Sequence, residues 1–140
     1  MVEYFGTEFE VAAATLVILN RAGLQTMGVE VRCLATPRHT RTPKFTLHGI
    51  PLPPGGIEQV FGKVIRIREG ESSADGAPQA LIYVWDWSAA NENSILLERS
   101  EQDGVRLSWT GQCRDSDAYD ARGLDGTFRI DCDCLLSYET

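Results

Sequence analysis

The stretch Val105-Arg106-Leu107-Ser108-Trp109-Thr110-Gly111-Gln112-Cys113 places apolar or small residues at every odd position and polar residues at every even one. Side chains alternate sides along an extended backbone, so this period of two marks a β-strand with one wet face and one buried face. Thr127-Phe128-Arg129-Ile130-Asp131-Cys132-Asp133-Cys134-Leu135 carries the same alternation in the opposite phase. Two such strands, both turning an apolar face inward, decide the fold class as all-β.

Outward from this pair the pattern repeats. Phe61–Arg68 alternates with Phe61, Ile65 and Ile67 on one side, and Val29-Glu30-Val31-Arg32-Cys33 does so with Val29, Val31 and Cys33. Leu81–Trp87 is apolar on both faces, as one central strand covered twice would be. Short segments at Phe45–His48 and Ile95–Glu98 bring the expectation to about eight strands, separated by turn-rich stretches such as Pro51–Gly56 and Gly70–Pro78. Residues 7–22 admit two readings. Thr7 followed by Glu10 fits a capping box with Gly23 as a C-cap, which would give a short N-terminal helix. Thr15-Leu16-Val17-Ile18-Leu19 is dense in strand formers, however, and Asn20–Gly23 suits a hairpin turn, so a strand is expected. Many short, mostly antiparallel strands with Gly/Pro turns in one compositional zone predict a single domain over residues 1–140, a β-sandwich before a barrel.

Leu16-Val17-Ile18-Leu19-Asn20, Val29-Glu30-Val31, Phe45-Thr46-Leu47 and Leu52-Pro53-Pro54-Gly55 together resemble the first half of immunoglobulin-like sandwich domains, including adaptor appendage domains. The resemblance spans about residues 14–68. It implies a sandwich of the kind often used as an interaction module, and it carries over no functional residue.

Composition narrows the function classes. Twenty acidic against thirteen basic residues give a net charge of −7. Phosphate backbones and anionic membranes are held by Lys and Arg, so nucleic acid and membrane are not expected partners, while a basic protein or a cation is favoured. The N-terminus has no basic region ahead of an apolar run, and Val11–Leu19 is too short to span a membrane, so the expected location is the cytoplasm.

Four cysteines and two histidines invite a zinc reading, but no CxxC knuckle is present. Alternation instead puts Cys33, Cys113, Cys132 and Cys134 on apolar faces, as buried reduced thiols. If the two opening strands pair antiparallel, one register sets Cys132 opposite Trp109, Cys134 opposite Leu107 and Cys113 beside Phe128. No two cysteines then face each other. Cys132 and Cys134 sit roughly 6.6 Å apart along their strand, at the upper limit for a disulfide. No metal and no cofactor is expected, and no catalytic signature is present: neither a nucleophile elbow, nor His-Glu-x-x-His, nor a phosphate loop.

Three surfaces remain as candidate partner-binding sites. The loop from Thr36 to Lys44 holds His39 and gathers Arg38, Arg41 and Lys44 in an otherwise acidic chain, a set suited to gripping a phosphate or an acidic patch, although a solvated surface loop is the favoured reading; His48 is expected at a strand edge. The connection after Cys113 holds Asp115, Asp117, Asp120 and Asp125. It departs from the calcium EF-hand, since Tyr119 stands where an oxygen ligand is needed and Gly126 where the closing glutamate belongs. Val84-Trp85-Asp86-Trp87-Ser88 with Asn93-Ser94 resembles the calcium-loop strand of C2 domains, yet only Asp86 matches that family's carboxylates. Tyr83, Trp85 and Trp87 form an aromatic stripe, expected to be covered because large aromatics are usually buried; an exposed stripe would be a binding surface. The function expected from these features is a non-enzymatic protein-binding domain of immunity or inhibitor type that neutralises a partner with a basic surface. The competing expectations are a carbohydrate- or calcium-binding module and a small hydrolase using His39 or His48.

Overall fold

A computed structural model describes residues 1–71, 78–84, 87–101, 104–114 and 125–139. Its strands are β1 (Val2–Tyr4), β2 (Thr7–Phe9), β3 (Val11–Arg21), β4 (Leu24–Cys33), β5 (Lys44–Pro51), β6 (Val64–Ile67), β7 (Ala80–Tyr83), β8 (Trp87–Ala89), β9 (Asn91–Arg99), β10 (Val105–Arg114) and β11 (Asp125–Glu139). A single 3-10 turn, Gly56–Gln59, is the one helical element among the described residues. The N-terminal helix alternative is thereby corrected: residues 7–9 and 11–21 are strand. At the tip of the β3–β4 hairpin Ala22 (φ 54°) and Gly23 (φ 77°) both take left-handed backbone, as a two-residue turn matched to strand twist requires.

The eleven strands form one curled, mostly antiparallel sheet in the order β6-β9-β10-β11-β3-β4-β5-β7-β8, with the β1–β2 hairpin added on β11. The expected all-β class is thus observed, with pairing continuous rather than divided between two sheets. Consecutive strands β3, β4 and β5 are neighbours, whereas an immunoglobulin-like domain sends its second and third strands to different sheets. The continuity runs through β11. Its first part pairs antiparallel with β10, and Leu135–Glu139 then run parallel to Thr15–Leu19 of β3.

The two ends of the sheet come together at Gly70. Its carbonyl accepts from the amides of Gln79 (2.7 Å) and Ala80 (3.0 Å), and its own amide donates to Asn91 Oδ1 (3.0 Å). A side chain there would collide with the backbone oxygens of Ala80 and Ala90, so only glycine closes the curl. Asn93 secures the same corner from inside. Its Nδ2 donates to the carbonyls of Ile67 (2.9 Å) and Ala90 (2.6 Å), and its Oδ1 accepts from Trp109 Nε1 (2.8 Å). With all three hydrogen bonds made, this amide is tolerated at 2% exposure. Between the two halves of the sheet, Phe45 of β5 packs at 5.9 Å from Trp109 of β10 and 5.1 Å from Phe128 of β11. Leu16, Ile18, Val29, Val31, Leu107 and Ile130 continue this buried interior.

Two expectations are corrected. β10 and β11 pair with both apolar faces inward, but the register is displaced by one pair of same-face residues. Leu107 lies opposite Cys132, Val105 opposite Cys134 and Gly111 opposite Phe128. The Phe128 ring covers Gly111 so closely that a Cβ at 111 would stand 2.7 Å from it, and Cys113 would leave no such room. The stretch Leu81–Trp87 is also not one strand. β7 and β8 pair with each other antiparallel, Tyr83 opposite Trp87.

Candidate functional site: the outer face of the sheet

Paired residues on neighbouring strands share a face. The register therefore writes the outer surface of β3, β4, β5, β7 and β8 directly. One row runs Arg32, Lys44, Tyr83, Trp87, and the next runs Thr15, Glu30, Thr46, Leu81, Ala89. Tyr83 and Trp87 are 38% and 48% exposed, with ring centroids 4.9 Å apart. The expectation that the aromatic stripe is covered is corrected for these two rings. The β7–β8 pair at the end of the sheet turns both outward, whereas a single central strand would have been covered. Trp85 lies outside the described residues.

Lys44 reaches over this pair. Its Nζ stands 5.8 Å from the Tyr83 centroid and 5.3 Å from that of Trp87, and 3.8 Å from Glu30 Oε1. The same carboxylate accepts from Arg32 Nε at 2.9 Å. Beside these residues the sheet surface sinks into a groove of about 600 Å³, lined by Val17, Leu19, Leu81, Thr46, His48 and Glu139 among others. Gly28, the partner of Val17 across β3 and β4, is part of its lining. Glycine within a strand often marks a place where a ligand or another chain approaches closely. His48 is exposed, but β5 is an interior strand, so the expected edge position is corrected: His48 lies at the groove.

The other sequence-derived candidates lie apart from this face. Arg38 and Arg41 are exposed. The His39 ring packs at 5.6 Å from Phe9, and its backbone exchanges hydrogen bonds with Thr36 (2.9 and 3.1 Å). Asp115, Asp117 and Asp120, like Asp86, are outside the described residues. Asp125 is exposed and pairs with Arg114 at 3.8 Å. Among the described residues no group of three His, Cys, Asp or Glu side chains gathers as a metal site, and no helix is long and apolar enough to cross a membrane.

All four cysteines are buried and none forms a disulfide. Burial pushes the Cys33 thiol up to about 12. A hydrogen bond between Cys132 and Cys134 raises Cys134 and lowers Cys132, because Cys134 gives its proton to its neighbour's sulfur and so holds it. Cys33 and Cys134, whose protons are held, support packing and are poor nucleophiles.

Sequence reasoning missed the parts of this face that do not alternate. Lys44 reads as the end of the basic 36–44 loop, and Glu30 as part of the polar side of Val29–Cys33. One signal was available: Val17 and Leu19 are apolar although Leu16 and Ile18 already fill the inner face of β3. Comparison with protein-family models, curated proteins and solved structures gives no match.

Proposed function

We propose that the protein is a non-enzymatic binding domain of immunity or inhibitor type that captures a protein with a basic surface on the outer face of β3, β4, β5, β7 and β8. The observation that carries this reading is the Tyr83–Trp87 pair, held in solvent beside a partly apolar groove. Exposed Tyr and Trp anchors dominate the energetics of protein interfaces, because they bury large area at low cost in side-chain freedom. The net charge of −7 favours a cationic partner by long-range attraction, and the acidic 115–125 connection would add to it. Buried thiols without disulfides fit a cytoplasmic setting.

The test is affinity capture at low and high salt with the wild type and with Trp87→Ala. The expected result is a basic protein retained at low salt, released by high salt, and held at least tenfold more weakly by the variant. Retention that ignores both salt and Trp87 defeats the proposal. A second reading, carbohydrate binding, is favoured by the two tilted rings next to a groove bearing Glu30, Thr46 and His48. Saturable quenching of tryptophan emission by an oligosaccharide, abolished in Trp87→Ala, would put that reading first.

A further inference from the structure

The aromatic pair already holds a cation. Lys44 Nζ sits within 6 Å of both ring centroids and 3.8 Å from the Glu30 carboxylate. Two π faces and a carboxylate converging on one point are what an ammonium or guanidinium group needs outside bulk water. The register explains the convergence. Lys44 lies directly opposite Tyr83, Tyr83 opposite Trp87, and Glu30 opposite Thr46, next to Lys44 on the same face. A lysine in that position has many rotamers available in water, and the site holds it in one of them at a cost in side-chain freedom.

We propose that Tyr83, Trp87 and Glu30 form a cation-recognition site closed by the chain's own Lys44, and that an arginine or lysine side chain of the partner binds by taking Lys44's place. This inference rests on the proposed capture of a basic protein and names the group that is captured. Arginine is the better occupant: its planar guanidinium stacks on aromatic faces and forks onto a carboxylate, which a lysine ammonium cannot do. The groove is lined by Glu30 and Thr46 as well as by Val17 and Leu81, so an apolar neighbour of that arginine would lie over Val17 and Leu81. Lys44 then sets a threshold. A single cation competes with a tethered one and gains little, while a partner that also fills the groove displaces it.

The test uses the full chain and a defined probe. L-arginine methyl ester, and its uncharged counterpart citrulline methyl ester, are titrated into 15N-labelled wild type, Lys44→Met and Lys44→Met/Trp87→Ala while indole N–H resonances are followed. Lys44 and Trp87 both reach the surface, so the variants should melt like the wild type, and thermal unfolding verifies this. The expected result is arginine ester binding about two- to five-fold tighter to Lys44→Met than to wild type, lost in the double variant and absent for the citrulline ester. Equal affinity in wild type and Lys44→Met overturns the proposal, as does binding that survives loss of Trp87 or that citrulline matches. The two proposals fail separately. Salt-sensitive capture of a basic protein without arginine ester binding leaves the capture reading and removes this site; arginine ester binding without any captured basic protein does the reverse.

Discussion

At the scale of the residue, the informative groups are the ones whose ionisation the fold restrains. Cys33 lies on the inner face of β4 beside Val31, where burial disfavours the thiolate and carries its pKa from 9.0 to about 12. The unfolded chain loses that proton near pH 9, and the folded chain keeps it until near pH 12. Between those values the unfolded state binds fewer protons, so stability is complete below pH 9 and falls as pH rises. The largest slope one thiol contributes is about 1.4 kcal/mol per pH unit. Urea unfolding at intervals from pH 7 to pH 11 should therefore show a plateau and then a decline, and Cys33→Ala should decline less steeply than wild type. Parallel slopes for the two proteins would remove Cys33 from the account. The charged residues of the outer face need the opposite treatment. Arg32, Glu30 and Lys44 are solvated enough that their ion pairs add little to stability, so their interest lies in what they recognise.

At the scale of the element, local chemistry decided what was legible. The alternation in Val105–Cys113 and Thr127–Leu135 gave strand, inner face and buried cysteines, because a period of two has no other reading at that length. The β3–β4 hairpin was legible for the same reason: strand formers flank Asn20–Gly23. The register of β10 on β11 was not, since parity fixes only which face is inward, and the accommodation of Phe128 over Gly111 decides the rest. The break of Leu81–Trp87 into β7 and β8 was hidden too, because that run is apolar but for Asp86 and holds no glycine or proline. The aromatic face, the core of the candidate site, depended on that break. One element does carry a visible flaw. Ala22 takes φ 54°, a left-handed conformation that alanine adopts at a cost and asparagine tolerates far better. Ala22→Asn should raise stability by about 0.5–1 kcal/mol and Tm by a few degrees, with Ala22→Val shifting both the other way. Thermal unfolding by circular dichroism measures it, and a lower melting temperature for the asparagine variant would contradict the turn geometry.

At the scale of the whole molecule, the fold depends on β11 belonging to both halves of the sheet. Up to Cys134 it completes the half made with β10, β9 and β1; from Leu135 to Glu139 it is the ladder that joins that half to β3. Elsewhere the halves meet through side chains, chiefly Phe45 against Trp109 and Phe128, and through the corner at Gly70. Such packing tolerates sliding, whereas a hydrogen-bonded ladder does not. Leu135–Glu139 should therefore set the cooperativity of unfolding, although Leu135 and Tyr138 are largely exposed and bury little apolar area themselves. A chain ending after Cys134 leaves the edge of β3 unpaired, and the outer face, with Val17 and Leu19 on that strand, loses its neighbour. Denaturant unfolding of this shortened chain should separate into two transitions, one followed by Trp109 emission from the β10 half in a Trp85→Phe/Trp87→Phe background and one by far-ultraviolet circular dichroism of both halves. Wild type should give coincident curves by both probes. A shortened chain that still unfolds in one coincident transition would mean that the aromatic contacts and the Gly70 corner suffice to unite the halves, and the outer face would then be held in place by these rather than by β11.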